Sequence, residues 1–111
     1  ESDLINSYAW DTAIVYIQEM GNSNYANQTD GNGTLKNTGS TGDEKCKIFD
    51  MAANTNEWTT EYSTYTFSSM AYSGTTRGGN YDSSLYTSNR IHGPATANNI
   101  YNSFRILLYV K

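Results

Sequence analysis

Apolar residues recur with two different periods along this chain, one near each end. Trp10, Ala13, Ile14 and Ile17 fall three or four positions apart, so they share one helical face, and that face must pack on something. The pattern predicts a helix over residues 8–20, with Ser7 as its cap, Asp11 in its first turn and Gly21 just past its end. Near the other end, Phe104, Ile106, Leu108 and Val110 alternate with Arg105, Leu107 and Tyr109, which is the period of a strand. Apolar groups on both faces predict that residues 103–110 lie inside a sheet, with Phe104, Ile106 and Leu108 as buried framework.

The stretches between are mostly polar. Residues 22–42 carry turn signals at Gly31-Asn32-Gly33 and Ser40-Thr41-Gly42, and read as a long ordered loop with one short helical turn. Gly31 and Gly33 lack the flanking strand and helix of a phosphate loop. Asn27-Gln28-Thr29 and Asn32-Gly33-Thr34 are glycosylation sequons, which matter only in a eukaryotic secretory host. Trp58-Thr59-Thr60 begins a strand, and Asp50 and Glu57 bracket the tight loop before it. Residues 62–71, rich in Thr, Ser and aromatics, predict a further strand or irregular β segment leading to Arg77.

Residues 80–102 stand apart. Arg77-Gly78-Gly79 precedes them, with glycines free to take positive φ or to approach another element closely. The segment itself is almost entirely Asn, Tyr, Ser, Thr, Asp, Gly and Ala, with little to form a core of its own. A Tyr-rich polar segment held between two anchors fits a contact surface on a rigid scaffold, and equally an ordinary long polar loop. Lys, Glu, Gln, Met and Trp occur fifteen times before residue 80 and never within 80–102. Those five types are the ones an Asn codon cannot reach by changing only its two adenines.

With 111 residues the chain makes one domain with a modest core. A net charge of −4 without a basic cluster argues against nucleic acid as a partner. No apolar run approaches the roughly 18 residues of a membrane span, and no stretch reads as a signal peptide. The single cysteine, Cys46, has no partner for an internal disulfide and reads as a buried or idle thiol. Few charges beside many Tyr, Asn, Ser, Thr and Gly are typical of extracellular or virion-surface binding domains.

Three linked motifs resemble a known family. D-M-A-A-N-T-N-E-W-T at residues 50–59, T-R-G-G-N-Y at 76–81 and S-F-R at 103–105 occur in the order found in the formylglycine-generating, sulfatase-modifying domain, a variant of the C-type lectin fold. The helix with Trp10-Asp11-Thr12-Ala13 is similar to that family's W-x-x-A helix. The resemblance covers most of the chain. It implies an α+β, C-type-lectin-like fold with one main helix, a small twisted antiparallel sheet and much irregular loop. Family members carry strands before the helix, whereas this chain starts almost at it. Residues 1–111 therefore look like the C-terminal part of a single such domain, and the 103–110 strand or a neighbour is expected beside a segment outside these residues, from a longer parent chain or a second copy.

The family's chemistry does not carry over. Its oxidases bind copper through paired cysteines just after the R-G-G motif, where this chain has Asn80-Tyr81-Asp82-Ser83-Ser84. Its sulfoxide-forming relatives need several iron-binding histidines, and this chain has only His92. A trio of His92, Asp82 and a serine is what chance gives in so Ser-rich a chain, and nothing places a base beside an activated nucleophile. The expectation is a non-enzyme. A third branch is the better match: the variable proteins of diversity-generating retroelements, whose mutated region lies at the C-terminus of this fold and is altered mostly at Asn codons.

That resemblance implies a ligand- or receptor-binding domain, an adhesin displayed on a bacteriophage particle or a bacterial cell surface, whose partner is a protein or glycan receptor on a target cell. The expected contact residues are Asn80, Tyr81, Asp82, Ser83, Ser84, Tyr86, Asn89, Ile91, His92, Asn98, Asn99 and Tyr101. Alternatives are a carbohydrate-binding module and a structural or interaction domain of an extracellular or virion assembly. The family's loop also holds calcium, at positions matching the side chains of Asp50 and Glu57 and the backbone oxygens of Ala53 and Thr55. The bland reading, that Glu57 hydrogen-bonds loop amides without metal, stands beside it. Arg77 and Arg105 are expected in the framework, and Arg90 in either role.

Overall fold

The structure is a computed structural model that describes residues 2–29, 33–52, 54–108 and 110. It is an α+β arrangement in which one helix covers one face of a small mixed sheet. The helix spans Ser7–Glu19 and buries Trp10, Ile14 and Ile17, as its apolar spacing requires. Its cap is Asn6, not Ser7: Asn6 is extended and its Oδ1 accepts the Ala9 N–H at 2.8 Å. Ser7 is unavailable because its buried hydroxyl donates to the Glu61 carboxylate. Starting one residue early also moves Asp11 into the second turn. Gly21, at φ +105°, ends the helix as expected, and the short 3-10 turn Tyr25–Asn27 follows.

Among the described residues there are ten short strands: β1 Ser2–Leu4, β2 Glu44–Lys45, β3 Ile48–Phe49, β4 Asn56–Tyr62, β5 Thr66–Phe67, β6 Met70–Ala71, β7 Gly74–Arg77, β8 Arg90–Gly93, β9 Asn102–Phe104 and β10 Ile106–Leu108. The main sheet has the order β8-β7-β4-β9. Its β8–β7 and β7–β4 junctions are antiparallel, while β4 and β9 run parallel, so the sheet is mixed where an antiparallel one was expected. Register fixes the faces, because directly paired residues point to the same side. One row is Phe104–Trp58–Thr76–Ile91 and the next is Ser103–Glu57–Arg77–Arg90. The second row faces the helix. Arg77 there lies 6.0 Å from the Trp10 ring and hydrogen-bonds Asp11.

The core is Ile5, Trp10, Ile14, Ile17, Tyr25, Met51 and Ala52, with Leu107 packed against it. This corrects the expectation for the chain's last strand. Residues 103–110 do not form one interior strand; the chain bends at Arg105 between β9, an edge of the main sheet, and β10, which pairs with β1. Phe104, Ile106 and Leu108 are 65%, 57% and 73% exposed. Both faces of the alternation were apolar, and the helix sits on only one side of the sheet. That side receives Arg105 and Leu107, whereas Phe104 shares the opposite side with Trp58.

Two further expectations change. A strand does precede the helix, since β1 pairs with β10 through Ser2↔Leu108, Asp3↔Leu107 and Leu4↔Ile106. The chain itself thus meets β10 along those residues, while β8 and β9 are the outer strands of the main sheet. Of the two readings of Cys46, the buried one is corrected: the free thiol is exposed, because Cys46 and Lys47 form the β2–β3 turn at φ +54° and +65°.

Candidate functional site

The segment 80–102 leaves the sheet from buried backbone. Thr75, Thr76, Arg77, Gly78, Gly79 and Asn80 are all buried in succession. Gly78 sits at φ +82°, and a Cβ there would meet the Met51 carbonyl at 2.9 Å and the Trp10 ring at 3.2 Å. Only glycine fits both the conformation and the space. Arg77 gives its Nε–H to the Asn89 carbonyl and an Nη2–H to that of Ser88, so one buried guanidinium holds the segment from beneath. Its framework role matches the expectation.

The expected contact residues divide under this geometry. Asn80 is corrected: it is only 9% exposed, and its Oδ1 accepts the Asp82 N–H. Its short amide closes a turn at the anchor instead of facing outward. Tyr81, Asp82 and Tyr101 come together. The two rings lie 5.3 Å apart, and the Tyr101 hydroxyl donates to Asp82 at 3.3 Å. Asp82's negative charge and its hydrogen bond push the Tyr101 phenol above its ordinary range. Tyr86 and Asn89 form a separate turn through the Tyr86 N–H and Asn89 Oδ1. That turn is pinned by Thr87, which is fully buried and bonds the Gln28 carbonyl through both its N–H and its hydroxyl. Asn98 and Asn99 are exposed, as is Ser84, while Ser83 is half-buried.

Ile91 and His92 belong to β8. His92 Nδ1 lies 3.2 Å from the Thr75 hydroxyl, and its ring is 6.1 Å from that of Tyr65. With Asn99 they line a cleft of about 220 Å³ on the sheet face away from the helix. Sequence reasoning missed its other walls, Asn56, Trp58, Tyr72 and Asn102. A signal for it exists in Gly74 and Gly93, which sit opposite one another across β7 and β8. A Cβ on Gly74 would meet the Trp58 ring at 2.5 Å, so the glycine is what allows the indole to lie there.

In the loop matched to calcium binding, the side chains of Asp50 and Glu57 have partners within the protein. Asp50 accepts from the Gly39 N–H and the Thr41 hydroxyl, each at 2.6 Å. Glu57 is clasped by Arg105, whose Nε and Nη2 approach its two oxygens at 2.8 and 2.9 Å. Burial raises the Glu57 carboxyl above its usual range, while Arg105's charge and hydrogen bonds pull the other way. Thr55 bonds Ser103 through its hydroxyl at 2.5 Å, and Ala53 lies outside the described residues. Among the described residues no group of three or more His, Cys, Asp or Glu side chains gathers at one place. A calcium ion at Glu57 would first have to displace Arg105.

Arg90 takes a framework part: its Nε lies 2.9 Å from the Glu61 carboxylate. Burial opposes ionisation of Glu61, but the hydrogen bonds from Ser7 and Arg90 and the charges of Arg90 and Arg77 leave its carboxyl below the usual range. No described helix is long and apolar enough to cross a membrane. Comparison of the chain with protein-family models, curated proteins and solved structures gives no match.

Proposed function

We propose that this is a non-catalytic binding domain of the C-type-lectin-like, sulfatase-modifying-factor type, used like the variable proteins of diversity-generating retroelements. It binds a receptor on a target cell from a phage particle or a bacterial surface, with residues 80–102 as the contact region. The observation that carries the reading is the split within that segment. Asn80 and Thr87 are buried pegs, while Tyr81, Asp82, Tyr86, Asn98, Asn99 and Tyr101 keep exposed or half-exposed side chains. Tyrosines supply contact area at low entropic cost, and Asn, Asp and Ser supply adaptable hydrogen bonds. Pairing of β1 with β10 supports the fold assignment, because the family that the chain resembles pairs its C-terminal strands with N-terminal ones. The function uses neither metal nor nucleophile, and Asp50 and Glu57 act as structural residues.

The test is flow cytometry of the fluorescent domain on a panel of bacterial cells. Tyr81→Ser/Tyr101→Ser is compared with Tyr8→Ser, a control on the exposed face of the helix. Binding to at least one strain, lost in the double variant and kept in the control, is expected. Absence of binding to every strain, or binding indifferent to Tyr81 and Tyr101, removes the reading. Sequencing beside the gene adds a separate check: an Asn-rich near-copy of its last third next to a reverse transcriptase.

A further inference from the structure

The cleft on the outer sheet face is more specific in its chemistry than the contact region around it. Asn56 is 6% exposed, and its Oδ1 has no hydrogen-bond partner although its Nδ2 reaches Asn102 Oδ1 at 3.4 Å. A buried amide oxygen left unmade is costly, so this atom calls for a donor that enters the cleft. Because a hydroxyl both gives and accepts, it satisfies Asn56 whichever way the amide is turned. Asn99 and Asn102 offer further neutral amides, and Trp58 and Tyr72 supply aromatic surface. None of the described residues lining the cleft is Asp, Glu, Lys or Arg. Apart from His92, whose Nδ1 pairs with the Thr75 hydroxyl, such a wall offers no counter-charge to a phosphate, a carboxylate or an amine, each of which would have to be desolvated unpaired.

We infer that this cleft is a subsite for one neutral sugar ring, with Asn56 and Asn99 meeting ring hydroxyls and Trp58 and Tyr72 meeting its apolar edge. A volume of about 220 Å³ equals roughly seven waters at about 30 Å³ each, room for a single pyranose but not for a longer oligosaccharide. The Gly74–Gly93 pair is then part of the recognition apparatus, since it sets where the Trp58 indole lies. The inference names one ligand class for the Ile91, His92 and Asn99 end of the proposed contact region, and rests on that reading for those three residues.

The experiment is an NMR titration of the ¹⁵N-labelled full chain with methyl pyranosides of glucose, galactose, mannose and N-acetylglucosamine. The matching free sugars form a second arm, and glucuronate and glucosamine are charged controls. At least one neutral sugar should give saturable shifts at the Trp58 indole and Asn56 side-chain N–H signals, with a Kd on the order of millimolar. Preference for the methyl glycoside marks a glycan chain end as the source, and preference for the free form marks a free monosaccharide; either result supports the subsite. Asn56→Ala should weaken binding about tenfold. Asn99→Ala, which also frees the Tyr101 N–H that Asn99 Oδ1 accepts at 2.9 Å, should weaken it in the same direction while the thermal midpoint shows the fold intact. No saturable shift with any neutral sugar, equal binding of the charged controls, or binding untouched by Asn99→Ala overturns the inference. Those outcomes leave cell binding through Tyr81 and Tyr101 intact, so the two readings fail separately.

Discussion

The two ends of the 80–102 segment have the same task and are built in opposite ways. At the front, residues 75–80 are buried without interruption, and the chain passes between the Met51 carbonyl and the Trp10 ring on a glycine. At the rear, residues 102–108 contain no buried residue, and three of their large apolar side chains face outward. The rear is held instead by backbone pairing on both sides of Arg105 and by side-chain bonds, among them the clasp of Arg105 on Glu57 and the Thr55–Ser103 hydroxyl pair. Close packing thus anchors one end and directional bonds the other. Anchoring by packing fails steeply when a methyl group is added; anchoring by bonds is indifferent to it.

The comparison breaks most visibly at Gly78. Gly78→Ala combines a positive φ with a steric conflict at the Met51 carbonyl, and should cost about 2–4 kcal/mol, read from denaturant midpoints. A loss below about 1 kcal/mol would mean the front end is no more tightly fitted than the rear. The rear clasp gives a smaller, pH-dependent effect. Burial raises the Glu57 carboxyl in the folded state, so its contribution is fully present below the unfolded carboxylate range and is lost as pH rises through the folded value. Glu57→Gln stays neutral, and should gain on the wild type as pH rises past the ordinary carboxylate range. The opposite slope would show that the ion pair with Arg105 outweighs burial.

Smaller still is Phe104→Ala. A fully buried phenylalanine would cost about 3–5 kcal/mol to truncate, but at 65% exposure the change should cost no more than about 1 kcal/mol. Leu107→Ala, on the inward face, should cost more than Phe104→Ala, and the reverse order would restore the original facing of the strand. Asn98→Ala, out on the segment itself, should stay within about 0.5 kcal/mol in thermal unfolding.

What was legible in the sequence is what local spacing encodes. Trp10, Ile14 and Ile17 define a helical face without reference to anything else, and Trp58-Thr59-Thr60 lies inside the strand it marks. The period of residues 103–108 was readable too, but not which face turns inward. Ile106 and Leu107 are equally apolar, and the choice depends on a helix about ninety residues earlier in the chain. Parallel pairing of β4 with β9 joins Asn56 to Asn102 and leaves no local trace. The same holds for the exchange of cap between Asn6 and Ser7, which a carboxylate on β4 decides. The Tyr81–Tyr101 cluster lies within the segment marked by composition, whereas the Asn56 cleft depends on neighbours from four strands and two loops that no motif connects.

One feature of the sheet bears on length rather than on side chains. Glu57 pairs with Arg77 on one flank and with Ser103 on the other, so the departing and returning chain lie two strand spacings apart, about 9–10 Å. The span between them is closed by the sheet whatever its contents. Doubling a flexible connection adds only about 0.6 kcal/mol of closure entropy. Insertions placed in the exposed stretch 95–100, away from the Thr87 peg, therefore meet little thermodynamic resistance. The length of the 95–100 stretch can thus vary, as its identity can, at little cost in stability.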